Sequence, residues 1–200
     1  MSDRLVAVVD LQTWLLAGGR PGDLGAHLDA LAAEGVTHLW LRAHLLTPDV
    51  ERAARESNDH ADQFTGSFVV SRPLVGVSSR LVQWHARESE LDALGTPPWS
   101  VSVHAVEDCS HAAKAGCHRL VAGSVFAPRS KPGVPASLGL GGLARLCDAA
   151  GLPVVAVGGI TAANAPHCLD AGAAGVAVLT PLSVPGGWRE VPALRGALRH

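Results

Sequence analysis

Residues 153–180 read PVVAVGGITAANAPHCLDAGAAGVAVLT, and this stretch decides the fold. Val154 to Val157 is an apolar, β-branched run of the kind a parallel sheet buries on both faces. Gly158-Gly159 ends it. Ile160 and Thr161 follow, then a helical segment from Ala162 to Asp170, then Gly172 and a second apolar run, Val176 to Leu179. Strand, glycine turn, helix and strand at this length make one βαβ unit. Two adjacent glycines at the carboxyl end of a buried strand let the backbone approach an anion within hydrogen-bonding distance. Thr161 is placed to cap the helix, whose amino end presents free N–H groups. A glycine pair alone requires only a tight turn. In the order strand-GGI-helix-strand-Thr it has the form of a barrel phosphate site built after the last two strands.

Upstream, the same rhythm repeats. Leu5 to Val9 predicts a first strand ending at Asp10. A loop with Gly18, Gly19, Pro21 and Gly22 leads to a helix over Asp23–Glu34, with Leu24, Leu28, Leu31 and Ala32 on one face. Thr37 to Leu41 is the second strand, ending at Arg42, and Thr47-Pro48-Asp49 opens a helix with a hydroxyl cap and a first-turn proline. Further strands are predicted at Ser67–Val70, Leu81–Trp84 (ending at His85), Trp99–Val103 (ending at His104) and Arg119–Ala122. Helices are predicted at Glu107–Ala115, Gly142–Ala150 and Pro192–Leu198, and a long proline-rich loop at Gly123–Leu138. Eight short apolar runs alternating with helices imply a parallel sheet closed into a single (β/α)8 TIM barrel over residues 1–200, small for that fold. The Ser-, Pro- and Gly-rich segment between Val70 and Leu81 predicts a shortened connection after the third strand. A doubly wound open sheet is the alternative, but no GxGxxG follows the first strand.

Composition narrows the function classes. The 200 residues are 48% hydrophobic, enough for a sizeable core. A net charge of −2 gives no long-range attraction to nucleic acid or anionic membrane. The apolar runs are strand-length, and MSDRLVAVVDLQTW lacks a signal-peptide pattern, so a cytoplasmic location is expected. Cys109, Cys117, Cys147 and Cys168 lack CxxC spacing and are expected to be buried free thiols. Fourteen arginines accompany two lysines, Lys114 and Lys131, which draws attention to a lysine in a loop.

Several motifs, in order, carry a resemblance. They are Ser102-Val103-His104-Ala105-Val106-Glu107, Gly123-Ser124-Val125-Phe126-Ala127-Pro128-Arg129-Ser130-Lys131, Gly139-Leu140, Ala156-Val157-Gly158-Gly159-Ile160 and Ala171 to Thr180, with Leu41-Arg42-Ala43-His44 further upstream. They resemble the thiamine phosphate synthase / TenI superfamily. That family's synthase joins a pyrimidine diphosphate to a thiazole phosphate, which needs Mg²⁺ and cations on the leaving diphosphate. Its TenI branch tautomerises a thiazole carboxylate phosphate, a histidine moving the proton.

The resemblance implies a role for each matching residue. Gly158, Gly159, Leu179 and Thr180 match the thiazole-phosphate grip, and Lys131 matches the lysine on diphosphate. Ser102, Ser124 and Ser130 fall at substrate-contacting positions. Arg42 matches the arginine of an LREK motif, at a strand end where a phosphate or carboxylate partner suits it. His104 keeps the family's SxH pattern and is the candidate proton carrier, with a hydrogen-bonded structural role as the alternative. Four departures stand out. The family's metal-bearing Asn-Asp pair is matched by Ser71-Arg72, the second metal carboxylate has Glu90 as its nearest equivalent, the LREK lysine is His44, and the TenI histidine is Ser124. Arginine does not ligate Mg²⁺. The resemblance therefore implies no metal ligand set, and Mg²⁺ only if synthase activity is retained. Arg72, paired with Glu90, is expected to replace the metal's charge. A TenI-like enzyme on a thiazole phosphate, a synthase with an altered diphosphate site, and a non-catalytic binder all remain open. In each the partner is a small phosphorylated heterocycle, and a homo-oligomer is compatible with all three.

Overall fold

The structure, a computed structural model, describes residues 4–71, 83–93, 97–127 and 137–199. Eight parallel strands close into a barrel in chain order, so the expected (β/α)8 architecture is observed. The strands are β1 Leu5–Asp10, β2 His38–Arg42, β3 Ser67–Ser71, β4 Gln83–Arg87, β5 Ser100–Val103, β6 Arg119–Ala122, β7 Val154–Val157 and β8 Gly175–Val178. The helices are α1 Leu11–Leu16, α2 Leu24–Ala33, α3 Pro48–Glu56, α4 Val106–Lys114, α5 Gly139–Ala150, α6 Ala165–Asp170 and α7 Val191–Ala197. The connection expected to be short after β3 lies outside the described residues. Among those described, no helix is long and apolar enough to cross a membrane. The chain packs as two compact units, 1–84 with 179–195 and 85–178 with 196–200.

In the first unit, β1 pairs with β2 from Val6↔His38 to Asp10↔Arg42, and β2 with β3 from His38↔Ser67 to Leu41↔Val70. Thr47 caps α3 as expected, its Oγ1 accepting the Val50 N–H. Helix α1 was not expected, because LQTWLL is short and runs into glycines. Asp10 nucleates it. One carboxylate oxygen accepts from the Thr13 N–H and hydroxyl, at 2.9 and 2.8 Å, while Leu11 and Trp14 are buried. The Trp14 indole N–H donates to the Arg20 carbonyl and its ring lies 4.7 Å from that of His27. Ser183 ties the far end of this unit to β1. Its fully buried hydroxyl accepts the Asp10 N–H at 2.9 Å and donates to the Val8 carbonyl at 3.0 Å.

In the second unit, alternate strand residues face opposite ways. Val101, Val103, Leu120, Ala122, Ala156, Val176 and Val178 are buried, with Leu143, Leu146, Cys109, Ala112 and Cys168 completing the layer on α4–α6. The thiols of Cys109, Cys117, Cys147 and Cys168 are free, and three of these residues are buried, as expected. Burial raises each thiol's pKa, that of Cys168 to about 11, so they remain protonated at neutral pH. The other face carries His85, Arg87, Ser100, Ser102 and Val121, set in register by His85↔Ser100, Arg87↔Ser102 and Ser102↔Val121. Strand β4 runs on to Arg87, three residues past the end its apolar run suggested at Trp84. The correction matters for His85, which is inside the strand rather than at its end. A 3-10 turn, Glu88–Ala93, follows β4 and is clamped to α4 by His111, whose ring nitrogens bond Glu88 at 2.7 Å and Asp92 at 3.1 Å.

Two measurements check this packing. Ser183→Ala orphans a buried N–H and a buried carbonyl, so it should cost about 2–4 kcal/mol and lower the thermal midpoint by several degrees in a calorimetric scan; a shift under one degree would contradict the bonds. The His111 pKa is raised, first by its bond to Glu88 and then by Asp92. Its stabilisation is therefore full below the unfolded value near 6.5 and lost as pH rises through the higher folded value. Urea melts should show the parent's advantage over His111→Gln shrinking from pH 5.5 toward pH 8.5.

Candidate functional site

The diglycine corner stands at the carboxyl end of β7, and backbone geometry builds it. Gly158 and Gly159 have φ of +98° and +66°, in the region that favours glycine. A Cβ on Gly158 would lie 2.6 Å from that of Ser124, and one on Gly159 would lie 2.8 Å from that of Phe126. Both glycines are thus required by the neighbouring loop after β6. Val125 N–H donates to the Val157 carbonyl at 2.9 Å and Phe126 N–H to the Gly158 carbonyl at 3.1 Å.

The carbonyls so engaged dictate where the amides point. In a trans peptide the N–H lies opposite the preceding C=O. The Gly158 carbonyl faces Phe126, so the Gly159 N–H turns away from that loop. The Gly159 carbonyl accepts from the Asn164 side-chain amide at 2.9 Å, so the Ile160 N–H turns away from Asn164. Among the described residues neither amide has an acceptor. Two such N–H groups at a strand's carboxyl end suit an oxyanion.

Asn164 also corrects an expectation. Helix α6 begins at Ala165 rather than Ala162. The Thr161 N–H is bonded to Asn164 Oδ1 at 2.7 Å, so an asparagine rather than the threonine hydroxyl organises the turn. Sequence reasoning missed Asn164. The available signal was its place three residues after Thr161 and directly before a proline-containing first turn.

Ser102, Ser124 and His104 lie in the same unit. Ser124 packs against Gly158. The exposed His104 ring donates Nδ1–H to the Gly123 carbonyl at 2.6 Å, since a carbonyl only accepts. In the neutral ring that fixes the tautomer and places the lone pair on Nε2. The His104 and Ala105 N–H groups both donate to Asp108, holding the turn into α4. Ser102 is half-buried and bonded to His85 Nε2 at 2.8 Å. His85 is 6% exposed, and its Nδ1 is 2.8 Å from Ser100 Oγ.

In the other unit, Arg42 ends β2 across from Asp10. Its Nη2 donates to His44 Nε2 at 2.7 Å, and its Nε lies 3.8 Å from Asp10 Oδ2. His44 Nε2 is also 3.8 Å from that oxygen. Asp10 is 3% exposed, and its Oδ2 has no hydrogen bond among the described residues. Its signal in the sequence was its position at the end of the first strand, three residues before Thr13. Leu179 leads into a 3-10 turn, Thr180–Leu182, with Thr180 exposed. Lys131, Ser130 and Arg72 lie outside the described residues.

The described carboxylates at the end of β4 are engaged within the protein. Glu90 Oε2 accepts the Arg87 N–H at 2.9 Å, and Glu88 is engaged by His111. Among the described residues no three His, Cys, Asp or Glu side chains group as metal ligands.

A family model described as thiamine monophosphate synthase matches residues 99–182. The thiamine-phosphate synthase of Coprothermobacter proteolyticus is 39% identical over 157 residues, 74% of each chain. That of Haloarcula marismortui is 44% identical over 85 residues, 41% of this chain and 40% of that protein. The chain spans half or less of the length of the first six curated relatives it matches. Thiamine phosphate pyrophosphorylase from Pyrococcus furiosus superposes with a TM-score of 0.75 at 22% identity, over 98% of this chain and 95% of that one, which is a likeness of fold. With the relative matched over 74% of its length at 39% identity, this barrel belongs to the thiamine phosphate synthase / TenI family.

Proposed function

We propose that the chain binds a thiazole phosphate, its phosphate at the Gly158-Gly159 corner, and moves a proton on that ligand in the manner of the TenI branch. The observation behind this reading is the pair of Gly159 and Ile160 amides, turned from the Phe126 loop and from Asn164 respectively and lacking acceptors among the described residues. A phosphate accepts both without displacing an internal bond. By family resemblance Lys131 contributes a cation to ligand binding. His104, with its proton on Nδ1 and its lone pair on Nε2, is the base. A 1,3-proton shift takes the proton from one ring-bound carbon and returns it to another position, so His104 ends as it began.

A second reading, thiamine phosphate synthase, is favoured by the names of the curated relatives. The strong match covers residues 99–182, the half bearing the diglycine corner. The other half holds Ser71-Arg72 where the family carries its metal pair, which favours chemistry on the thiazole phosphate alone.

Incubation with thiazole carboxylate phosphate, and with thiazole phosphate plus pyrimidine diphosphate and Mg²⁺, followed by product analysis, separates the readings. A tautomer shift is expected. Thiamine phosphate would select the synthase, and saturable binding without product would select a binder. Asn164→Ala should leave the far-ultraviolet circular dichroism unchanged yet weaken thiazole phosphate about tenfold by calorimetry, by freeing the Gly159 carbonyl and loosening the corner. An unchanged affinity would remove the corner from the phosphate site.

A further inference from the structure

We propose that His85 is a positioning residue that aims the Ser102 hydroxyl at a substrate oxyanion, through a one-way chain of hydrogen bonds starting at Ser100. The thiazole-phosphate reading enters only as the identity of the ligand bearing that oxyanion.

The chain follows from strand register. β4 and β5 are parallel, with His85 opposite Ser100 and Arg87 opposite Ser102. The His85 ring therefore reaches two hydroxyls on one face of β5, Nδ1 to Ser100 Oγ and Nε2 to Ser102 Oγ, both at 2.8 Å. Ser100 is 3% exposed, whereas Ser102 is half-buried and two residues nearer the carboxyl end of the strand. One end of the chain is closed and the other is open.

A neutral imidazole has one N–H and one lone pair. One serine must then donate to His85 and the other must accept. With water at Ser102 both directions are available, because a hydroxyl turns either way. An oxyanion only accepts. When one meets Ser102, the hydroxyl donates outward, takes its own hydrogen bond from His85 Nε2–H, and leaves Nδ1 to accept from the Ser100 hydroxyl. Every dipole then points toward the anion, and charge-assisted bonds aligned in series reinforce one another. No proton leaves its heavy atom. An imidazole merely satisfying two interior serines would make the same bonds, but its tautomer would be indifferent to ligand.

Nuclear magnetic resonance of the full chain with ¹⁵N-labelled histidine rings reads the tautomer directly, the His85 signals being those missing from His85→Gln. Inorganic phosphate and inorganic pyrophosphate are titrated separately. Either anion, once bound, should convert neutral His85 to the single form protonated at Nε2. Ser102→Ala should abolish that response and weaken the anion about tenfold, the loss of one hydrogen bond to a charged acceptor. His85→Gln keeps an N–H donor toward Ser102 and should bind within about threefold of the parent, whereas His85→Leu should lose about tenfold. If His85→Leu does not fold, Ser102→Ala and the tautomer decide. Bound anion with an unchanged His85 tautomer overturns the inference, as does a Ser102→Ala chain that binds as tightly as the parent, or failure of both anions to bind. A locked tautomer with no turnover of thiazole carboxylate phosphate leaves the inference standing and defeats the tautomerase reading instead.

Discussion

The loops leaving β6 and β7 touch backbone to backbone, and the candidate site follows from that contact. Val125 and Phe126 donate their N–H groups to the carbonyls of Val157 and Gly158. Such closeness excludes side chains on both sides. A Cβ on Gly123 would lie 2.7 Å from the Val157 carbonyl oxygen, and those on Gly158 and Gly159 would meet Ser124 and Phe126. With the Gly158 carbonyl engaged by Phe126 and the Gly159 carbonyl by Asn164, planarity of the peptide turns the Gly159 N–H away from that loop and the Ile160 N–H away from Asn164. The glycines are needed for that contact, and the orientation of the Gly159 amide is its geometric consequence.

The first unit has its own electrostatic centre. Asp10 is held at its amide by Ser183 and at one carboxylate oxygen by Thr13, leaving the other oxygen 3.8 Å from both Arg42 Nε and His44 Nε2. Arginine only donates, so His44 Nε2 receives the guanidinium hydrogen and carries a lone pair. A histidine in the LREK lysine's position therefore changes the site's character. A lysine would add a second positive charge beside Arg42, whereas this imidazole accepts a hydrogen bond from it and orients it.

Much of the fold was legible because its signals are local. The β-branched run at Val154–Val157, the Thr47-Pro48 helix start and the strand at Arg119–Ala122 each depend on residues within a few positions, and all three appear where expected. The misses have one cause. Helix α1 forms because Asp10 is anchored by Ser183, 173 residues away, and its own six residues carry little helical signal. β4 continues past Trp84 because His85, Ala86 and Arg87 pair with β5. Helix α6 starts late because Asn164 is used to hold Thr161 and Gly159.

The amino-acid order by itself determined a parallel βα repeat, its closure into a barrel, the diglycine corner and the family to which its motifs belong. Periodicity and turn chemistry are properties of neighbours along the chain. Only the tertiary structure decided which nitrogen of His104 carries its proton, which hydroxyls flank His85, and which way the Gly159 and Ile160 amides point. Each of those depends on an atom brought across from another strand or loop, and strand register, not sequence spacing, sets that distance.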